Sequence, residues 1–154
     1  MAAYDTYANA DTYFLTRLHV GEWTASTNSD KTKALLEASA RIDRLKFAGT
    51  KVDSDQTEEF PRYYGDEAVG DEEVPDDIKI ACYEVAFALL DGVDPDLELE
   101  NLAVVARGIS SARTTYAREE VPAHFAAGIP SAYAWQYLKP YLKASGTVKI
   151  HRVS

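Results

Sequence analysis

Val74-Pro75-Asp76-Asp77, followed by an apolar-faced run to Leu90, fixes the centre of whatever this chain folds into. Proline lacks a backbone N–H, and the first helical position is where that donor is not needed. Asp76 and Asp77 then face the positive end of the helix dipole. Ile78, Ala81, Cys82, Val85, Phe87, Ala88, Leu89 and Leu90 give the helix an apolar face too wide for a surface element, and Gly92 stops it. The pattern predicts a central, heavily buried helix. Its approach has the opposite character: residues 50–73 read as a long polar loop with aromatic anchors at Phe60 and Tyr63-Tyr64. Loops of that length are uncommon in compact domains and usually carry a function.

A chain of 154 residues is expected to form one domain. It can bury about two-thirds of the surface its unfolded form exposes, so it needs no covalent staple. Cys82 is the sole cysteine, which excludes an internal disulfide and fits assembly in a reducing cytoplasm. On the apolar face of the central helix it reads as a small hydrophobe, not a nucleophile. Met1–Phe14 has no basic stretch followed by an apolar run, so no signal peptide is expected. No apolar run approaches the roughly 20 residues of a membrane span, and no membrane partner is expected.

Elsewhere the pattern is helical with one interruption. Asn9 or Asp11 caps a first short helix whose stripe is Ala10, Phe14 and Leu18, closed by Gly21. Ser29 caps a second, with Asp30 in its first turn. Leu35, Leu36, Ala38, Ala40, Ile42 and Leu45 face inward, Lys31, Lys33, Glu37, Arg41 and Arg44 face mostly outward, and Gly49 ends it. Between 102 and 116 the period changes. Val104-Val105 and Thr114-Thr115-Tyr116 favour strand geometry around a Ser110-Ser111 turn. Ser131 caps a last helix to about Leu138, with Trp135 and Leu138 on one face and Tyr133 and Tyr137 stacked on another, ended by Pro140. The fold class is therefore mainly α: about four helices in a small bundle, one β-hairpin, and an extended tail. The division is 1–146 for the domain and 147–154 for the tail.

The net charge of −9 is unevenly placed. Residues 1–52 hold 6 acids and 7 bases, residues 53–100 hold 17 acids and 2 bases, and residues 101–154 hold 2 acids and 7 bases. A solvated acidic face explains such a segment, and so does a surface that repels polyanions while another docks a partner. Phosphate-backbone binding needs a positive groove. The C-terminal bases Arg107, Arg113, Arg118, Lys139, Lys143, Lys149 and Arg152 are scattered along the sequence. The ten tyrosines offer stacking surfaces, but read more readily as core or interface anchors.

Signals for catalysis are weak. No glycine-rich phosphate loop is present. His19, His124 and His151 are isolated, without a second ligand at metal spacing. The acid pairs Glu58-Glu59, Glu72-Glu73 and Asp76-Asp77 sit where solvation or a helix dipole accounts for them, with nothing to split their pKa values. No catalytic residue, metal or cofactor is expected.

Several short pieces, in order, resemble the head-completion, or head–tail connector adaptor, proteins of tailed bacteriophages. They are Tyr7 with Ala10-Asp11-Thr12-Tyr13-Phe14, Lys33-Ala34-Leu35-Leu36-Glu37-Ala38 leading to Ile42-Asp43, and Phe60-Pro61-Arg62. Val74-Pro75 with Ile78-Lys79 and Ala81, the hairpin ending at Tyr116, and Leu138-Lys139-Pro140-Tyr141-Leu142 complete the set. Relatives commonly have tryptophan where Phe60 stands and often glycine where Ser110-Ser111 stands. Some carry the label of a DnaT-like single-stranded-DNA-binding protein. The resemblance implies a virion protein at the head–tail interface, assembled in the host cytoplasm. It implies a homo-oligomeric ring, commonly of twelve copies, beneath the portal protein. Such a ring extends the DNA channel toward a tail-side stopper or tail protein and passes packaged double-stranded DNA without specific binding. Two regions are candidates for contacts. The tail residues Val148, Lys149, Ile150, His151, Arg152 and Val153 alternate like a strand that docks on the portal. Asp53, Asp55, Glu58, Glu59, Arg62, Asp66, Glu67, Asp71, Glu72 and Glu73 would face the channel or a ring contact, repelling DNA over about 8 Å at physiological salt. The alternative is a single-stranded nucleic-acid-binding protein. A helical interaction protein of the host and an enzyme are further classes.

Overall fold

The computed structural model describes residues 2–64, 73–103, 106–109, 112–115 and 121–144. Among the described residues the architecture is mainly helical, with two antiparallel two-stranded pairings, one of them a tight hairpin. In chain order it runs α1 (Tyr7–Phe14), α2 (Gly21–Ala25), α3 (Asn28–Ile42), β1 (Thr50–Lys51), β2 (Arg62–Tyr63), α4 (Asp76–Leu90) and α5 (Pro95–Ala103). The hairpin β3 (Ala106–Ile109) and β4 (Ala112–Thr115) follows, then α6 (Ala123–Ala126), α7 (Ala132–Leu138) and a 3₁₀ turn at Lys139–Tyr141.

The predicted central helix is α4. It packs against α3 on one side and α7 on another. Six consecutive residues, Ala81 to Ala86, are buried, as is Ile78. A helix covered on all sides needs a nearly continuous apolar sequence, and this one has it. Fully burying side chains such as Ile78 and Val85 stabilises by roughly 1.5–3 kcal/mol each. Pro75 stands one position outside the expected place, as the N-cap, while Asp76 and Asp77 fill the first turn. Gly92, at φ 86°, terminates the helix in the left-handed conformation.

Ser39, buried where α3 meets α4, has its hydroxyl satisfied. Ser39 Oγ donates to the Leu35 carbonyl at 2.9 Å, accepts from the Tyr4 N–H at 3.0 Å, and lies 3.3 Å from Cys82 Sγ. Burial pushes the Cys82 thiol up to about 12, so at neutral pH it is an uncharged core side chain, as its position on the apolar face led us to expect. Two aromatic groups close the ends of the core. Phe14 contacts Trp23 and Phe87 at ring separations of 4.7 and 5.7 Å. Phe60 contacts Phe47, Tyr141 and Tyr4 edge-on, at 4.7, 5.9 and 6.0 Å.

Several boundaries differ from expectation, each for a local reason. Helix α1 is capped by Thr6, whose hydroxyl accepts from the Asn9 N–H, rather than by Asn9 or Asp11, and Leu18 lies outside it, 76% exposed. Gly21 starts α2 instead of closing α1. Helix α3 is capped by Thr27, not Ser29. Thr27 accepts from the Asp30 N–H at 3.2 Å while its hydroxyl donates to the Asp30 carboxylate at 2.7 Å, so cap and first turn are tied twice. Lys31 is buried instead of solvated, its ammonium 2.7 Å from Asp11 and over the Trp23 ring. Helix α3 ends at Ile42, well before Gly49. Residues 50–64 are not an irregular loop throughout, since β1 pairs with β2 (Thr50 with Tyr63, Lys51 with Arg62) and the Phe60–Pro61 bond is cis. Helices α2, α5 and α6 were not foreseen; Leu102, assigned to the hairpin from its sequence, lies in α5. The hairpin register, Ile109 opposite Ala112, leaves two residues between the strands, as the Ser-Ser reading requires. Val104, Val105, Ser110, Ser111 and Tyr116 lie outside the described residues.

Candidate functional site

The candidate acidic loop divides into three parts. Asp53 and Asp55 are exposed at a turn in which the Asp53 carboxylate accepts from the Asp55 N–H at 2.9 Å and Gln56 accepts from the Asp53 N–H at 3.1 Å. They are free to meet a partner. Glu58, Glu59 and Arg62 instead hold the fold together. Glu58 accepts from the Ala2 N–H and the Thr57 hydroxyl, which keep its carboxyl below the ordinary value. Arg62 is 7% exposed; its guanidinium donates to the Ala48 and Gly49 carbonyls at 2.9 Å each and to Glu59 at 2.6 Å. Glu59 also pairs with Lys51 at 3.1 Å. The Phe60-Pro61-Arg62 motif is therefore a clamp: Phe60 fills the core while Arg62 ties the turn after α3 to β2. Of the remaining loop residues, Glu73 is exposed, and Asp66, Glu67, Asp71 and Glu72 lie outside the described residues. So do the tail residues Val148, Lys149, Ile150, His151, Arg152 and Val153.

A second acidic surface was not singled out from sequence. Asp91, Asp94, Asp96, Glu98 and Glu100 are exposed at the end of α4 and along α5. Asp94 caps α5, accepting from the N–H groups of Asp96 and Leu97 at 3.0 and 3.3 Å. Leu97 and Leu99, 53% and 37% exposed, sit among these carboxylates.

Most described cations are neutralised within the chain. Arg17 pairs with Glu84 at 2.8 Å, Lys31 with Asp11, Lys33 with Asp30, and Arg41 with Glu37 and Asp96. Lys51 and Arg62 share Glu59, and Lys79 meets Asp76. Arg44, Lys46, Lys139 and Lys143 are exposed and have no ion pair among the described residues. Tyr133 and Tyr137 are neighbours as expected but meet edge to face instead of stacking, with ring centroids 5.4 Å apart, an interplanar angle of 70° and hydroxyls 3.1 Å apart, and the Arg17 guanidinium lies 4.5 Å from the Tyr133 ring.

Titration tests one of these pairs. Burial raises the Asp11 carboxyl, but the hydrogen bonds from the Lys31 ammonium and Trp23 indole, with the Lys31 charge, outweigh it and hold the group below its ordinary value. Such a carboxyl stabilises the fold above its unfolded-state pKa, and the contribution is lost as pH falls through the lowered folded value. Asp11→Asn is expected to flatten the loss of thermal stability below about pH 4, read by circular dichroism melts across pH. An acid limb identical to wild type would mean that this pair does not set it.

Among the described residues, no three His, Cys, Asp or Glu side chains converge as a metal site would require, and no helix is long and apolar enough to cross a membrane. His19 is exposed, at φ 59°, and His124 lies in α6, where burial lowers its pKa. No curated protein and no solved structure matches the chain. A family model described as "Putative DnaT-like ssDNA binding protein" matches residues 1–153, and the chain belongs to that family.

Proposed function

We propose that the chain is a non-catalytic protein that binds single-stranded DNA. The family match along residues 1–153 carries this reading. The exposed cations Arg44, Lys46, Lys139 and Lys143, which have no ion pair among the described residues, are in keeping with it, because contacts to a phosphate backbone need positive charge that is not already paired. Fluorescence anisotropy with a labelled oligo-dT strand provides the test. The logarithm of affinity is expected to fall linearly with the logarithm of salt concentration, by about 0.7 for each phosphate neutralised. Absence of binding at low salt, or binding indifferent to salt, would sink the reading.

A second reading is favoured by the exposed carboxylates of α5 and the end of α4. A surface of that charge repels DNA, which suits a ring that passes DNA without gripping it. On this reading the chain is a head–tail connector subunit of a tailed phage virion. Copies of it form a ring, which portal protein and a tail-side stopper or tail protein bind on either side. Negative-stain images of the chain mixed with portal protein separate the two readings. Rings seated on portals support the connector, and portals without them reject it.

A further inference from the structure

We infer that Arg44, Lys46, Lys139 and Lys143 form one phosphate-chain-binding ridge, which on the single-stranded-DNA reading takes the sugar–phosphate backbone. The four lie in two sequence stretches far apart in the chain, and backbone pairing joins them. Phe47 and Leu142 form an antiparallel bridge. On either side of it the Ala48 N–H donates to the Tyr141 carbonyl and the Lys143 N–H donates to the Lys46 carbonyl, both at 2.9 Å. Phe47 is buried and Leu142 packs against the same core. Alternation along extended chain therefore sends the next residues, Lys46 and Lys143, to the opposite side, where both are exposed. Arg44 lies two residues before Lys46. Lys139 opens the 3₁₀ turn whose carbonyl accepts from the Leu142 N–H at 3.3 Å, one turn from Lys143.

Folding alone does not account for this arrangement. Like charges directly opposite each other on paired strands are destabilising. A helix C-terminus explains cations at Arg44, just past α3, and at Lys139, the C-cap of α7. No helix end explains Lys46 and Lys143. Two described acids beside the ridge are turned to other tasks: the Asp43 carboxylate accepts from the Tyr4 hydroxyl and the Glu59 N–H, and Asp77 accepts from the Tyr141 hydroxyl at 3.2 Å. An extended polyanion lying along the ridge would relieve the repulsion. The Tyr141 ring is turned against Phe60 and Tyr64, so the ridge offers charge in place of a stacked base, and recognition through it is independent of base sequence.

Lys46→Gln/Lys143→Gln and the fourfold variant that adds Arg44→Gln and Lys139→Gln test the ridge. Lys33→Gln/Lys79→Gln is the control, removing the same charge as the double variant at paired sites. Anisotropy is read with oligo-dT and, separately, by competition with inorganic polyphosphate. The salt slope is expected to fall by about 1.4 in the double variant and about 2.8 in the fourfold one, and to hold in the control. Oligo-dT binding with slopes unchanged in the ridge variants overturns the ridge while the single-stranded-DNA reading stands. Polyphosphate binding that needs the ridge, with no oligo-dT binding, supports the ridge and rejects that reading. Binding to neither probe rejects both. A changed sedimentation coefficient in the ridge variants with unchanged binding makes the ridge a contact between copies, and also overturns the inference.

Discussion

Gly49→Ala is expected to lower stability by roughly 3–4 kcal/mol, the sum of a left-handed residue's cost and the lost bonds around it. Gly49 has φ 72°, and a Cβ placed there would lie 2.0 Å from the Tyr63 carbonyl oxygen. That oxygen is backbone, held by the pairing of Thr50 with Tyr63, so no side-chain rotation relieves the contact. The chain must move, and the guanidinium of Arg62 is bonded to the very carbonyls that would shift, those of Ala48 and Gly49. A buried guanidinium that loses its acceptors costs more than the bonds themselves. For a domain of this size the melting temperature should fall by about 6–16 °C. A melt within two or three degrees of wild type would show that the β1–β2 clamp is not part of the cooperative fold. The ridge offers an independent check, since Ala48 N–H also anchors the 141–143 stretch: the alanine variant should weaken oligo-dT binding as well.

The elements legible in the sequence are those whose signals are local. The start of α7 was readable because Ser131 does what a capping serine does, accepting from the Ala134 N–H at 3.1 Å. The centre of the fold was readable because a helix buried all round must be apolar all round, and Ala81 to Ala86 nearly is. Other signals were present and overlooked. Thr27 with Asp30 three residues on marks a helix start better than Ser29 does. Asp94-Pro95 repeats the logic of Pro75 with a capping side chain added, and α5 follows it. That helix was hidden because Leu97 and Leu99 are exposed, so no buried stripe announces it. Helix α2 has five residues and no side-chain cap, and its Gly21 reads as a stop. Nothing local marks it.

The candidate sites were legible to a lesser degree, since charge along a sequence does not say which charges remain unpaired in space. Glu59 and Arg62 stand in the acidic segment as if for a partner, yet they bond each other and the turn after α3. Lys139 and Lys143 look scattered, because Arg44 and Lys46 lie almost a hundred residues earlier and it is the long-range Phe47–Leu142 bridge that joins the two stretches. A net charge of −9 likewise hides cations that form no ion pair among the described residues. Long-range pairing was the missing information, and composition does not contain it.

Arg17→Ala is expected to cost about 3 kcal/mol, toward the lower end for a broken buried pair because Arg17 is 35% exposed. Its partner Glu84 is 2% exposed in the middle of α4, the one carboxylate in the central helix's buried stretch. The guanidinium meets both Glu84 oxygens, at 2.8 and 3.3 Å, and the Tyr13 hydroxyl donates to the first at 2.8 Å. Burial, then the Glu84 bond and charge, push the Tyr13 hydroxyl well above its ordinary pKa, so it stays a donor throughout the accessible range. Removing Arg17 leaves a buried carboxylate with a single neutral donor, and also uncovers the Tyr133 ring on α7. The decisive measurement is the double variant. In Arg17→Ala/Glu84→Gln the uncompensated charge is gone while the Tyr13 acceptor survives, so stability should recover by at least about 1 kcal/mol relative to Arg17→Ala alone. If the double variant is as unstable as the sum of its parts, the loss belongs to packing of the Arg17 stem over Tyr133, and Glu84 tolerates its burial without help from the guanidinium.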